Sequence, residues 1–241
     1  MPGMKYTTLL FFVALFLLLP HFANAQNDEL NKEDLKEWSR NAQTVPVKSS
    51  SEVEGTPYYN EEWKTGYVLL NSGKKSDPID LKYNSYTNEV LFQKNGRLLA
   101  VVPKGMKGFI LLDNNQQTVF KSGFKSEKHD ISPATNLRVI YDGSVKLVAQ
   151  HNVRQHKRRD ILGGGNQVIK YLPKTDYYLI NADGTFHDVK LKRKHILRAL
   201  GNHQGKLKNF ANSQDLSFKD QNDLRSILIQ YDNMLARDSQ K

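Results

Sequence analysis

The densest chemistry in the sequence lies in HNVRQHKRRDILGGGN, residues 151–166, where Arg154, Lys157, Arg158 and Arg159 stand beside two histidines and run into three glycines. Guanidinium groups grip phosphates, sulfates or carboxylates bidentately. A glycine loop cradles phosphate when it joins a strand to a helix whose first amides act as donors. Here the glycines lead into NQVIKYL, a strand-like run that lacks the Lys-Ser/Thr pair of a phosphate loop. The stretch is therefore expected to be a long, mobile, solvated loop between two strands. Arg154, Arg158 and Arg159 remain candidates for binding an anion, and no nucleotide cofactor is implied.

A second cationic segment covers 189–214. It contains Lys190, Lys192, Arg193, Lys194, Arg198, Lys206 and Lys208 and no acidic residue. Lys192, Arg193 and Lys194 sit at an expected helix start, where positive charge opposes the helix dipole at roughly 0.3–1 kcal/mol per group. A sequence that keeps such charge can use it. Lys190, Lys192, Arg193, Lys194 and Arg198 are the other anion-binding candidates, set against a plain solvated face. The partner class is an anionic envelope component: a glycan, a lipid head group or an acidic protein. Nucleic acid is not expected, because neither interleaved stacking aromatics nor a known module accompanies the cations.

Other constellations are poorer. Glu61 and Glu62 adjoin, and neighbours on an extended chain point to opposite sides, so the two cannot flank one scissile bond. No histidine pair has the i, i+4 spacing of a zinc helix, and no serine sits in a Gly-x-Ser-x-Gly elbow. The chain has no cysteine. Thiolate metal sites, disulfides and a cysteine nucleophile are excluded. No catalytic residue, metal or cofactor is assigned. Tyr58, Tyr59 and Trp63 are expected to cover a sheet edge or line a groove.

The elements that must position these groups follow from patterning. Lys5, the apolar run TTLLFFVALFLLLP and the small-x-small ANA at 23–25 read as an export leader, residues 1–25, with cleavage expected before Gln26. No later stretch is apolar enough to cross a bilayer. The protein is expected to be periplasmic or extracellular. Lys5 is the leader's only charged side chain, so almost all of the net charge of +10 belongs to the remainder. Residues 26–55 form an acidic arm, with Leu30, Leu35, Trp38 and Ala42 on one possible helical face capped by Asn31, followed by a polar linker at 44–55. From 66 to 191 short β-branched and aromatic runs alternate with turns at Asn71-Ser72-Gly73, Asn95-Gly96, Asp113–Asn115, Asp142-Gly143 and Asp183-Gly184. Asn-Gly and Asp-Gly suit the positive φ of tight hairpins. About ten strands are expected over 56–191. They should form an antiparallel meander curled into a curved sheet or open barrel. Residues 192–241 change to helical period: Arg193–Leu200 ended by Gly201, a second helix over 205–214, and a third with Leu224, Ile227, Leu228, Tyr231 and Leu235 on one stripe. Ser217 and Asp220 look like a capping-box pair before it.

The segments GTPYYNEEWKTGYVLLNSGK, LKYNSYTNEVLF, YDGSVKLVAQ, YYLINADG and KRKHILRALGNHQGKLKNF together resemble a family of uncharacterised exported proteins from Bacteroidetes-type bacteria. That resemblance implies a β-rich, non-cytoplasmic domain with a small helical tail, and it transfers no catalytic residue. The function expected is a non-enzymatic, envelope-associated binding or assembly module. It would act through a curved sheet surface and a basic patch. Two alternatives stand beside it: a hydrolase of envelope polymers, and a carrier holding an apolar ligand on the concave sheet face.

Overall fold

The computed structural model describes residues 43–44, 52–94, 96–101, 103–114, 116–159 and 167–240. The expected leader, the acidic helix and the three glycines at 163–165 lie outside the described residues. Twelve strands form one large open mixed sheet: β1 (Gln43–Thr44), β2 (Glu52–Glu54), β3 (Lys64–Leu70), β4 (Ile79–Asn84), β5 (Glu89–Lys94), β6 (Arg97–Ala100), β7 (Met106–Asp113), β8 (Gln116–Lys121), β9 (Leu137–Asp142), β10 (Lys146–Arg159), β11 (Gln167–Ile180) and β12 (Phe186–Val189). Three helices follow: α1 (Arg193–Leu200), α2 (Gln204–Ser213) and α3 (Gln221–Asp238). The chain is mainly β with a C-terminal helical appendage, as its patterning requires.

The order β1-β6-β5-β4-β3-β7-β8-β9-β10-β11-β12 is two meanders set back to back. The first runs outward from β3 to β6. The chain then returns through a 3-10 turn at Pro103–Gly105 and lays β7 on the free side of β3, from which the second meander runs to β12. Every pairing is antiparallel except that of β2, which joins β11 in parallel. Part of the stretch read as linker is thus strand, held by Arg158 and Lys170 on Glu54.

A continuous row of cross-strand partners shows how the inner face is used. Val68, Phe109, Phe120, Arg138, Ala149, Tyr177 and Val189 oppose one another in turn across β3, β7, β8, β9, β10, β11 and β12. The first three belong to an aromatic cluster with Leu81, Tyr83, Val90 and Phe92. Tyr83 of β4 and Phe120 of β8 meet with ring centroids 5.1 Å apart, although β3 and β7 lie between them. Three strand spacings in a flat sheet are about 14 Å, so this half curls until its inner face closes on its own side chains. Gly66 lets β3 and β7 come close at this point, since a Cβ there would lie 2.1 Å from the Ile110 carbonyl oxygen.

The last members of the row lie under the helices. Leu147, Ala149, Leu179 and Val189 pack with Ile196, Leu200, Leu207, Leu224, Ile227 and Tyr231. The stripe on α3 expected from its spacing is the buried face. Asp220 caps α3 by accepting from the amides of Asn222 (2.8 Å) and Asp223 (3.0 Å), while Asp223 reaches back to the Ser217 amide. The cap is therefore Asp220 itself, with Ser217 outside it. Asp232 pins α3 to the β9–β10 turn by accepting from the Tyr141 hydroxyl (2.6 Å) and the Ser144 amide (2.9 Å). Glycine at 143 leaves room for this docking, since a Cβ there would sit 2.1 Å from that carboxylate and 2.5 Å from the Tyr141 hydroxyl and would displace them. On the opposite face Val148, Tyr178 and Ile180 are covered by Ile131, Phe124 and Phe186.

Candidate functional site

The expected loop at 151–166 is corrected for its described part: residues 151–159 complete β10, paired in unbroken register with β11 from Lys146↔Ile180 to Arg159↔Gln167. The conformational entropy lost in ordering these residues is offset by this ladder and not by apolar burial. Beyond Ala149, β10 has no described strand on its β9 side. Arg154, His156, Lys157 and Arg158 are exposed along that bare edge. Charge on an open edge deters pairing with a second sheet, which is one physical reason for the cationic run. Arg158 bonds Glu54 at 3.0 Å, and Lys170 bonds the same carboxylate at 2.8 Å, so Glu54 is held below the usual carboxylate range, by Lys170 first and Arg158 after it. Arg154 has no ion pair among the described residues. Arg159 ends β10; its side chain is not among those described.

The second cationic group is split by the fold. Arg193, itself exposed, donates to Asn212 at 3.4 Å and lies 5.7 Å from the Phe218 ring. It stitches α1 to α2 and to the lead-in of α3. Lys190, Lys192, Lys194 and Arg198 stay exposed and form no ion pair with another described residue. Lys192 occupies the N-cap of α1 without a side-chain cap bond, and no acidic residue stands in its first turn. Lys194 and Arg198, four apart, share a helix face, where like charges repel by a few tenths of a kcal/mol. Beside them a groove of about 530 Å³ runs along the β11–β12 end of the sheet, lined among others by Lys174, Asp176, Tyr177, Asp188, Lys190 and His195. Lys174 is paired to Asp176 at 2.9 Å.

Tyr58, Tyr59 and Trp63 are divided between two faces. Tyr59 points inward, edge-on to Phe120 (5.2 Å) and His151 (4.7 Å). Tyr58 and Trp63 lie over Lys82, whose ammonium is 4.4 Å from the Tyr58 ring and 5.7 Å from that of Trp63. Lys82 alternates with the inward Leu81 and Tyr83, so this clasp is on the outer face of β4. Lys64 donates to Glu62 at 3.0 Å at the entry to β3.

Sequence reading did not find a Ser-His-Asp chain that the fold assembles. Ser126 Oγ lies 2.8 Å from His129 Nδ1, and His129 Nε2 lies 2.9 Å from Asp188 Oδ2. Its exposure is inverted for nucleophilic catalysis: the His129 side chain is 7 % exposed and that of Asp188 64 %. The amides of Ser126, His129, Asp130 and Ile131 donate to carbonyls within the turn. The chain latches the Glu127–His129 turn onto β12, and the hydrogen bond from His129 holds Asp188 below the usual carboxylate range.

A second missed feature is the seam between the two halves of the inner face. There Arg138 interrupts the apolar row, and His151 sits close by with Nδ1 3.1 Å from Thr175 Oγ1. Burial, reinforced by the Arg138 charge, pushes the His151 imidazole down to about 4. His151 Nε2 and Arg138 Nε are buried and unpartnered. The sequence signal was a lone cation inside the otherwise apolar run LRVIY. Among the described residues no group of three or more His, Asp or Glu side chains gathers as a metal site, and no helix is long and apolar enough to cross a membrane. No known protein-family model, curated protein or solved structure matches the chain.

Proposed function

We propose that the protein is an exported, non-enzymatic module that binds an anionic component of the cell envelope through the cationic surface of α1. The observation that carries this reading is the charge of that surface: Lys190, Lys192, Lys194 and Arg198 lie within residues 190–198, are exposed and form no ion pair with a described carboxylate. Cations at a helix N-terminus and at i, i+4 spacing reduce stability, and an anionic surface would reverse both penalties on contact. The leader-like run at 1–25 supports an exported location, where such surfaces occur. The interior of the curled half is occupied by Tyr59, Phe109 and Phe120, which favours a surface site over an apolar ligand held inside it.

The test compares the chain from Gln26 onward with its Lys192→Gln/Lys194→Gln/Arg198→Gln variant. Binding is read on vesicles containing phosphatidylglycerol and on an immobilised anionic glycan, at low and high salt. Each cation near an anionic surface contributes about 1 kcal/mol, so the variant should bind about two orders of magnitude more weakly to the cognate surface. Equal retention of the two proteins at low salt refutes the reading.

A further inference from the structure

Arg138 is the one charged member of a row that otherwise runs Val68, Phe109, Phe120, Ala149, Tyr177 and Val189. A half-buried guanidinium in such a row is costly unless its N–H groups are used. One is: Nη2 donates to Gln221 Oε1 at 2.9 Å. Nε is buried and has no partner. Arg138 lines a pocket of about 380 Å³ between β8, β9 and the start of α3, within the ordinary size range of small-molecule sites. Arg225 and Lys219 also line it. Arg225 is oriented by its own bond, Nε to the Ile140 carbonyl at 3.1 Å. Neither Arg138, Arg225 nor Lys219 has an ion pair among the described residues. The one carboxylate of the wall, Asp220, spends Oδ1 on the Asn222 and Asp223 amides. The α3 N-terminus is thus already capped, and the surplus charge of the pocket comes from side chains. The remaining wall is mostly amide and hydroxyl, from Gln116, Gln117, Thr118, Gln221 and Asn222, with Val139 and Ile140 supplying an apolar part.

We infer that this pocket binds a small hydroxyl-bearing anion of the size of an acidic monosaccharide or sugar phosphate. Arg138 and Arg225 take the anionic group, and the amide wall takes the hydroxyls. Forked guanidinium donors suit a carboxylate or a phosphate equally. The site is separate from the α1 surface and does not depend on it.

Calorimetric titration of the chain from Gln26 with glucuronate, glucose 6-phosphate, inorganic phosphate and glucose tests the assignment. Saturable binding of glucuronate or glucose 6-phosphate, at least tenfold tighter than inorganic phosphate and with no glucose binding, is the expected result. The tighter of the two sugars tells carboxylate from phosphate as the natural group. Arg138→Gln and Arg225→Gln should each weaken binding at least tenfold, and Lys219→Gln severalfold. Arg225 and Lys219 have exposed side chains, so their variants keep the test valid should Arg138→Gln fail to fold. Lys192→Gln/Lys194→Gln should leave the affinity unchanged. Absence of binding by both sugar probes at millimolar concentration overturns the inference, as does affinity equal to that for phosphate. So does binding that survives both Arg225→Gln and Lys219→Gln.

Discussion

The two halves of the sheet solve one problem differently. Both expose the same inner face, joined by one row of partners from Val68 to Val189. From β3 to β8 the sheet bends until aromatic rings cover one another, with Phe109 and Phe120 stacked at 4.5 Å. From β9 to β12 the sheet is covered instead by α1, α2 and α3. Self-coverage works where large rings reach across a concave surface. Helical coverage leaves a free outer surface on the added elements, and that surface carries the exposed cations. Where the two solutions abut, neither is complete, and the polar residues Arg138, His151 and Thr175 occupy the junction.

The sharpest way to break this comparison is to remove the side chain nearest the junction. Phe120→Ala deletes a fully buried ring that touches Tyr59, Tyr83 and Phe109, at a cost of about 3–5 kcal/mol. If the row makes one cooperative unit, denaturant unfolding followed by near-ultraviolet and far-ultraviolet circular dichroism will shift as a single transition. Loss of the aromatic signal with the helical signal intact would show two independent halves.

Next comes His151. Its folded imidazole is neutral down to about 4, whereas the unfolded chain takes up a proton near 6.5. Between those values the unfolded state binds more protons, so stability is fully present above about pH 6.5 and falls as the pH drops toward 4. The loss reaches about 3 kcal/mol at about 1.4 kcal/mol per pH unit. Asp142, lowered by bonds from Lys121 and then Lys146, and Asp188, lowered by His129, lose their contributions only at still lower pH. Chemical denaturation from pH 7.5 to 4.5 should show the decline in the native protein and a flatter profile in His151→Gln. Parallel profiles would remove His151 from the account. The smallest stability effect belongs to the outer surface: Lys192→Gln/Lys194→Gln/Arg198→Gln should move unfolding by no more than about 0.5 kcal/mol per site, and in the stabilising direction if relief of the helix-start repulsion dominates. A loss of several kcal/mol would give these cations structural partners.

Much of this architecture is legible before any coordinates. The Gly-containing turns separate β3 from β4, β5 from β6 and β11 from β12, with Gly73, Gly96 and Gly184 all at positive φ. The α1 boundaries and the buried stripe of α3 follow from 3.6-residue spacing. What resisted reading depends on tertiary placement. The 151–159 strand has little apolar alternation because much of it is an exposed hairpin arm, so its order comes from backbone pairing that no local pattern reveals. The return of the chain to place β7 beside β3 carries no local mark either. Arg193 and Lys194 are adjacent in sequence, equal in charge and both exposed, yet the fold gives Arg193 contacts to Asn212 and the Phe218 ring that Lys194 does not make among the described residues. The Ser126–Asp188 latch and the Arg138 pocket join residues far apart in the chain.

The most direct test of the proposed function maps contact on the folded protein. Amide chemical shifts of the isotopically labelled chain from Gln26 are recorded while phosphatidylglycerol-containing nanodiscs or an anionic glycan are added. The account predicts perturbation or broadening centred on residues 190–198, reversed by salt and lost in Lys192→Gln/Lys194→Gln/Arg198→Gln. Binding that leaves residues 190–198 untouched, or that the triple variant retains in full, would contradict it.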